Sequence, residues 1–533
     1  MGPARRSRFP PAPTSRHPES SAPKLQPRIP RHGLHHHTTA KLPSVKNPTQ
    51  PVYSLRISPC HLNTPLARTP HLRPSLSPRP LIAHFPPTMN HSKHDPSPSQ
   101  LAILTHLSKT LTLSPPQSSY PPSSLTGPLT SHTGTAYLFL SISSHHPCLQ
   151  VHSYPAIHWA RAYISNIPTP SAPPAPFEPP GPGLLSDALA GPAIRACITQ
   201  DLSHVRTFLA LLAPVLDLIL PAATAAAADA ASPTAMDTSP PDAAPPATCL
   251  LHGLAGTLYL LRIIRHWVPS SAPLVSRAIV HVSEYLLAPA TPWSCPHHPA
   301  PSASRHGAAH GDLGVVTQLV LTSPPLAPRL ASKLSSLLDL QLPDGDWPSA
   351  PGAEEAASPP KAPPTPETSP GARGNDTRES GAGGGGGGGG FASGAQGLVI
   401  SLLSLRPFFP ALQGRVDDAV ARARAHLWAR ARDPGLSPRD PSLFHGALST
   451  ALTMPKGPER NHLLATATAA AAANTTTTTA GAAAASDAPR PPNRTASPTV
   501  AAGSVATSLD PGAAWMWAAG ARDMPRMIFY NDV

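Results

Sequence analysis

His310-Gly311-Asp312-Leu313-Gly314-Val315-Val316-Thr317-Gln318-Leu319 is the stretch whose reading decides the fold. Two glycines three residues apart open a run that is almost wholly apolar. The frame recurs along the chain. Ser131-His132-Thr133-Gly134 opens Thr135 to Leu140, Gly253-Leu254-Ala255-Gly256 opens Thr257 to Leu261, and Gly394-Ala395-Gln396-Gly397 opens Leu398 to Leu402. A worn copy, His445-Gly446-Ala447-Leu448-Ser449, precedes Thr450 to Leu452. Glycine at a helix start lets the chain turn tightly and lets neighbouring starts pack closely. Self-similarity of this kind marks a fold built by repeating one supersecondary unit. The unit here is a helical hairpin, and hairpins that begin alike predict a closed ring with all the glycine turns at one end.

The segments between the turns carry helical periodicity. Leu101, Leu104, Leu107 and Leu111 recur every three to four residues, as do Val205, Phe208, Leu209, Leu212, Leu216 and Ile219. Leu274, Val275, Ala278, Ile279, Val282, Tyr285 and Leu286 form another stripe, and Leu326, Leu330, Leu334, Leu337 and Leu338 another. Val416, Ala419, Val420, Ala423 and Leu427 form the last, with Arg422, Arg424 and Arg430 off it. Each gives a helix one apolar face. No strand-type alternation of comparable length occurs, so the expected fold class is all-α.

Composition divides the chain. Its 533 residues include 76 Pro and 35 Gly with only 13% charged side chains, a mixture expected of folded segments separated by disordered ones. Residues 1–95 read as a basic, Pro-rich disordered tail and 96–533 as the helical body. Three low-complexity insertions interrupt the body near 222–247, 351–390 and 465–507. The tail has three open readings: a transit peptide, against which its helix-breaking prolines weigh; a disordered basic arm; or sequence upstream of a true start at Met89.

The net charge of +12 belongs to that tail, because residues 1–94 hold 14 Lys and Arg against the single acid Glu19. The remaining 26 basic and 27 acidic side chains nearly cancel. The body therefore has no basic face, and no nucleic-acid partner is expected. The five cysteines, Cys60, Cys148, Cys197, Cys249 and Cys295, have no paired spacing and no secretory signal precedes them, which points to a reducing, cytoplasmic setting. The one apolar stretch of membrane length, Phe208 to Ala228, contains Pro214, Asp217 and Pro221 and reads as a core helix rather than a transmembrane segment. No lipidation signal is evident, so peripheral membrane association stays open.

The His-Gly-x-x-Gly turns at His252-Gly253-Leu254-Ala255-Gly256 and His310-Gly311-Asp312-Leu313-Gly314 resemble those of the lanthionine synthetase C-like (LanC-like) family. So do Asp344-Gly345-Asp346-Trp347-Pro348-Ser349, the block Gly394 to Pro410 and the ending Arg526 to Val533, the last two in the manner of fungal members. The resemblance runs from about residue 124 to the C-terminus. It implies an α/α toroid, a double ring of helical hairpins, and a zinc ion held by Cys from a Trp-Cys-His-Gly turn plus Cys and His from a Cys-His-Gly turn. Three protein ligands leave one position for a substrate thiol, which zinc deprotonates for addition to a dehydroamino acid.

Carried over residue by residue, that ligand set is broken. Ala392 and Ser393 stand where the first turn has Cys and His, and Phe444 stands where the second has Cys. His445 alone survives as a metal-ligand type, and one imidazole without thiolates does not hold zinc at trace concentration. The family's zinc is therefore expected to be absent or weakly held here. The nearest alternative ligands are Cys295, His297, His298, His306 and His310, although chance clusters are expected among 27 histidines. The Gly383 to Gly390 run abuts the first lost turn and makes a gene-model error one explanation there, but Phe444 is a separate loss.

His310 matches the family's acid/base histidine, a role imidazole suits near neutral pH; it equally reads as a helix-turn residue like His252. Arg439 stands where eukaryotic relatives carry a Lys for an anionic substrate, or is a solvated surface group. Asp312 and Asp346 are turn residues first. The expected function is binding of a peptide or glutathione-like thiol in the toroid cavity, the alternative being an active zinc-dependent thiol-adding enzyme. A carbohydrate-active toroid would need paired carboxylates across a cleft, and the turns are acid-poor.

Overall fold

Alternation between helices buried on all sides and helices buried along one stripe organises the body. The computed structural model describes residues 96–168, 181–229, 245–289, 291, 293–295, 306–348, 390–433, 440–469, 503–520 and 522–533. The tail 1–95 and most of the three expected insertions lie outside these residues. In chain order the helices are α1 (Pro98–Leu113), α2 (His132–His145), α3 (Ala156–Ser165), α4 (Asp187–Thr199), α5 (Leu202–Asp229), α6 (Leu254–Trp267), α7 (Ala272–Leu287), α8 (Asp312–Thr322) and α9 (Ala327–Asp339). There follow α10 (Gly390–Ser393), α11 (Ala395–Leu405), α12 (Gln413–Arg432), α13 (Ala447–Thr453), α14 (458–469) and α15 (Leu509–Ala519). The strand content of the described residues is one two-residue hairpin, β1 (Gln150–Val151) with β2 (Tyr154–Pro155). It turns through His152 and Ser153 at φ 49° and 69°, the left-handed pair a tight antiparallel hairpin requires. The expected all-α class holds.

The packing order closes on itself. Helix α2 packs on α4, α4 on α6, α6 on α8, α8 on α11, α11 on α13, α13 on α15, and α15 on α2. These helices are apolar nearly all round: Leu254 to Ile264 of α6 and Leu313 to Val320 of α8 are buried without interruption. A helix buried on every side needs neighbours on every side, and the second set of helices supplies them. Helix α1 packs on α15, α3 on α2, α5 on α4, α7 on α6, α9 on α8 and α12 on α11.

The second set shows the expected stripes. Val416, Ala419, Val420, Ala423 and Leu427 of α12 are buried, as are Leu330, Leu334, Leu337 and Leu338 of α9. Two stripe positions are exceptions, Leu101 at 56% and Leu274 at 38% exposure; Ile103 takes the core position in α1. Helix α5 extends to Asp229, into the segment read as the start of an insertion, because an alanine run propagates a helix readily. Among the described residues α5 is also the helix long and apolar enough to cross a membrane, over Leu202–Leu220. Its face of Val205, Phe208, Leu212, Val215 and Ile219 is buried, and α4 and α7 pack on the helix.

The last eight residues tie the cycle together through a buried polar knot. The Asp532 carboxylate accepts hydrogen bonds from Tyr137 of α2 at 2.7 Å and Tyr259 of α6 at 3.0 Å. Arg262 of α6 donates to the Tyr530 carbonyl at 2.5 Å and to Gln318 of α8 at 2.9 Å. On α11, Ser401 meets the Tyr530 hydroxyl at 2.5 Å and Ser404 accepts from the Asn531 amide at 2.6 Å. Phe529 holds φ 64°, a left-handed conformation costly for a bulky residue, while its ring packs 5.2 Å from that of Tyr137.

Burial raises the Asp532 pKa, opposed by the Tyr137 bond, the Arg262 charge and the Tyr259 bond. The folded state thus keeps this proton longer than the unfolded chain does. Asp532's contribution to stability is complete below the unfolded carboxyl value of about 4 and falls as pH rises to the raised folded value. Urea unfolding of the chain and of Asp532→Asn across this range should show the decline in the unsubstituted chain alone. Asp532→Ala, which strands two buried phenols, should cost about 3 kcal/mol at neutral pH; a loss below ~0.5 kcal/mol would show that the knot contributes little.

Candidate functional site

The turns that start the helices of the first set are bonded backbone to backbone in the order in which those helices pack. Leu185 N–H donates to Leu251 O at 2.9 Å, Leu250 N–H to Ala309 O at 3.1 Å, and Ala309 N–H to Ala392 O at 3.0 Å. Phe391 N–H donates to Phe444 O at 2.8 Å, Phe444 N–H to Ala506 O at 3.0 Å, and Ala506 N–H to Leu129 O at 3.0 Å. Gly127 N–H closes the belt on the Asp187 carboxylate at the start of α4, at 3.1 Å. Glycine is needed where the turns crowd. A Cβ on Gly397 would lie 2.0 Å from Phe391 O and 2.7 Å from the Ala308 methyl, and one on Gly314 would lie 2.0 Å from Ala308 O.

One residue before each helix cap, the belt presents Thr130, Leu185, His252, His310, Ser393, His445 and Thr507. His252 is buried, His310 half-buried, and Ser393 and His445 exposed. The sequence placed His310 and His445 at equivalent turns, and the structure brings both to this end. His445 is recessed despite its exposed edge. Its pKa is lowered first by the surrounding protein, with Asp440 acting the other way and the neighbouring His310 adding to the lowering. Arg439 lies outside the described residues, as do His297 and His298.

At the positions the resemblance assigns to cysteine, the structure has apolar packing. Ala392 and Phe444 are buried, and the Phe391 and Phe444 rings lie 5.1 Å apart with Tyr530 a further neighbour of Phe391 at 4.9 Å. Phe444 also meets His445 edge-on at 5.0 Å. The His445 main-chain N–H is held by the Ser442 hydroxyl at 3.2 Å, which fixes the turn. These residues do not fit a zinc ion: they offer an imidazole against aromatic rings, with no sulfur donor.

His310 has a different companion. Its Nδ1 lies 3.2 Å from Cys295 Sγ, and Cys249 Sγ completes a group whose ligand atoms all lie within 4.8 Å of one another. Cys249 and Cys295 are 46 residues apart in sequence, and Thr248 and Ser294 join them. Thr248 N–H donates to Ser294 O at 3.0 Å, and Ser294 N–H donates to Thr248 Oγ1 at 2.7 Å. Cys249 sits in the turn before α6 and receives the His252 N–H at 3.4 Å; the His252 and His310 rings stack at 6.2 Å. The hydrogen bond to Cys295 and then burial push the Cys249 thiol up, while the backbone amides of His252 and Leu251 favour its thiolate. Sequence reasoning found Cys295 and His310 but missed Cys249. Its signal was a place in the same glycine turn as His252.

The other motif residues are structural. Asp312 pairs with Lys333 at 2.6 Å. Asp344 accepts from the Asp346 N–H at 3.1 Å, Gly345 turns at φ 95°, and buried Trp347 donates to Leu337 O at 3.1 Å. This turn seals α9 against α12, where a Gly345 Cβ would meet Arg422 O at 2.4 Å.

Because His310 adds to the lowering of the His445 pKa, His310→Ala should move the His445 titration upward in NMR-monitored pH titration. Asp440→Ala should move it downward. Shifts in the opposite directions would separate the two histidines in space. No family model matches this chain, and no curated protein matches it.

Proposed function

We propose that the chain is a LanC-like α/α toroid that binds a peptide or a glutathione-like thiol at the turn-lined mouth. In this reading the zinc-thiolate chemistry of the family is lost at the turns 391–394 and 443–446. The observation that carries it is the belt of bonded turns, which gathers His310, Ser393 and His445 at one end of a cycle of helices. The cyclic packing order and the two classes of helix support the toroid. Buried Ala392 and Phe444 support the loss, since they stand at the two cysteine positions and neither offers a thiolate.

Each side chain then has a task. His445 and Ser393 offer a hydrogen-bonding edge to the main chain or carboxylates of a ligand. His310, at the neighbouring turn, offers an imidazole to a ligand thiol. Arg439, five residues before Phe444, would meet an anionic end such as a glutathione carboxylate. Cys148, Cys197, Cys249 and Cys295 form no disulfide with one another, which suits a reducing cytoplasmic setting. An active thiol-adding enzyme is the second reading, favoured by the presence of His310 at the turn end.

Isothermal titration of the full chain with reduced glutathione and with a cysteine-containing peptide tests this. Saturable binding to at least one is expected, weakened by about tenfold in Arg439→Ala and His445→Ala, the loss of one charged or polar anchor each. Absence of binding to either, by a chain whose circular dichroism shows it folded, would sink the proposal.

A further inference from the structure

We infer that Cys249, Cys295 and His310 form a metal site of their own, suited to zinc and separate from the turns 391–394 and 443–446 to which the resemblance assigns its ligands. Three observations carry it. First, the donor set is the right chemistry: two thiols and one imidazole match the sulfur and nitrogen preference of zinc, and no carboxylate is among them.

Second, the spacing is nearly that of a formed site. Tetrahedral zinc, with bonds of about 2.3 Å to sulfur and 2.0–2.1 Å to nitrogen, sets its ligand atoms about 3.5–3.8 Å apart. Here Cys295 Sγ and His310 Nδ1 stand 3.2 Å apart, and all three ligand atoms fall within 4.8 Å. These distances lie within about one ångström of the tetrahedral spacing.

Third, the surroundings are built for it. Cys249 is 1% and Cys295 3% exposed, while His310 keeps one edge toward solvent. The His252 N–H points at Cys249 Sγ from 3.4 Å, the outer contact that steadies a metal-bound thiolate. The reciprocal Thr248 and Ser294 bonds hold the two cysteine-bearing segments in register. Zinc entering the site displaces one proton from each thiol, so two protons leave and the bound ion carries two thiolates and a neutral imidazole. Three protein ligands leave a fourth coordination position for water or an incoming thiol. The site does not depend on the ligand reading above, because its ligands are complete without any bound peptide.

The test uses the full chain, reduced, loaded with zinc and desalted without chelator. About one zinc per chain is expected, with two sulfurs in its X-ray absorption spectrum. Cobalt(II) in place of zinc should show the thiolate-to-cobalt charge-transfer absorption. Cys249→Ser and Cys295→Ser should each weaken zinc by at least ~100-fold, since even loss of an outer contact costs about 10–100-fold. His445→Ala should leave zinc unchanged. The cobalt spectrum of the unsubstituted chain reads sulfur ligation even if a serine variant misfolds. A reduced chain that takes up neither metal overturns the site, as does zinc that survives both serine substitutions. So does a Cys249–Cys295 disulfide as the sole chemistry of the pair.

Discussion

Peptide groups of successive helix starts lie close enough to hydrogen-bond to one another, and the architecture depends on that approach. An amide at Ala309 can reach the carbonyl of Ala392 only if the chains between them carry no bulk. Gly397 meets that condition, with no room for a methyl between Phe391 O and Ala308. The belt satisfies amides and carbonyls just before each helix that would otherwise be buried without partners, a cost of about 1–3 kcal/mol for each. It also sets which residue each turn presents outward. The same constraint that repeats the glycines therefore lines up Thr130, His310, Ser393 and His445.

The C-terminal segment works from within the helix cycle. Asp532, Tyr530 and Asn531 join side chains of α2, α6, α8 and α11, helices whose sequence separation spans most of the body. A buried carboxylate is costly alone, but two phenols and a nearby guanidinium offset much of its desolvation. Tyr530 also packs on Phe391, so the knot and the turn belt share a boundary.

Two kinds of surroundings meet the histidines of the belt. At Ala392 and Phe444 the space is filled by methyl and aromatic groups, which offer no metal donor. At the two preceding turns Cys249 and His310 stand with Cys295 in a group of soft donors. Histidine is common to both because a turn residue just before a helix cap can face solvent without leaving a buried donor. Its chemistry is then decided by its neighbour, a phenylalanine for His445 and a cysteine for His310.

Much of this was legible in the residues alone. The glycine frame located the starts of α2, α6, α8, α11 and α13, since close backbone approach leaves a local signature. The spacing of Val416 to Leu427 marked α12 as a one-sided helix, and the absence of cysteine after Cys295 showed that the ligand set implied by the resemblance is not present. The starts of α4 and α15 carry Ser186 and Ser508 where the others carry glycine or Ser131, so the frame did not reveal them. Tertiary structure alone decided that Asp532 lies between Tyr137 and Tyr259, and that Cys249 meets Cys295 and His310. Those contacts join segments up to 395 residues apart. Local pattern reports what a residue needs from its own helix or turn; which distant partner fills that need depends on how the helices close upon one another.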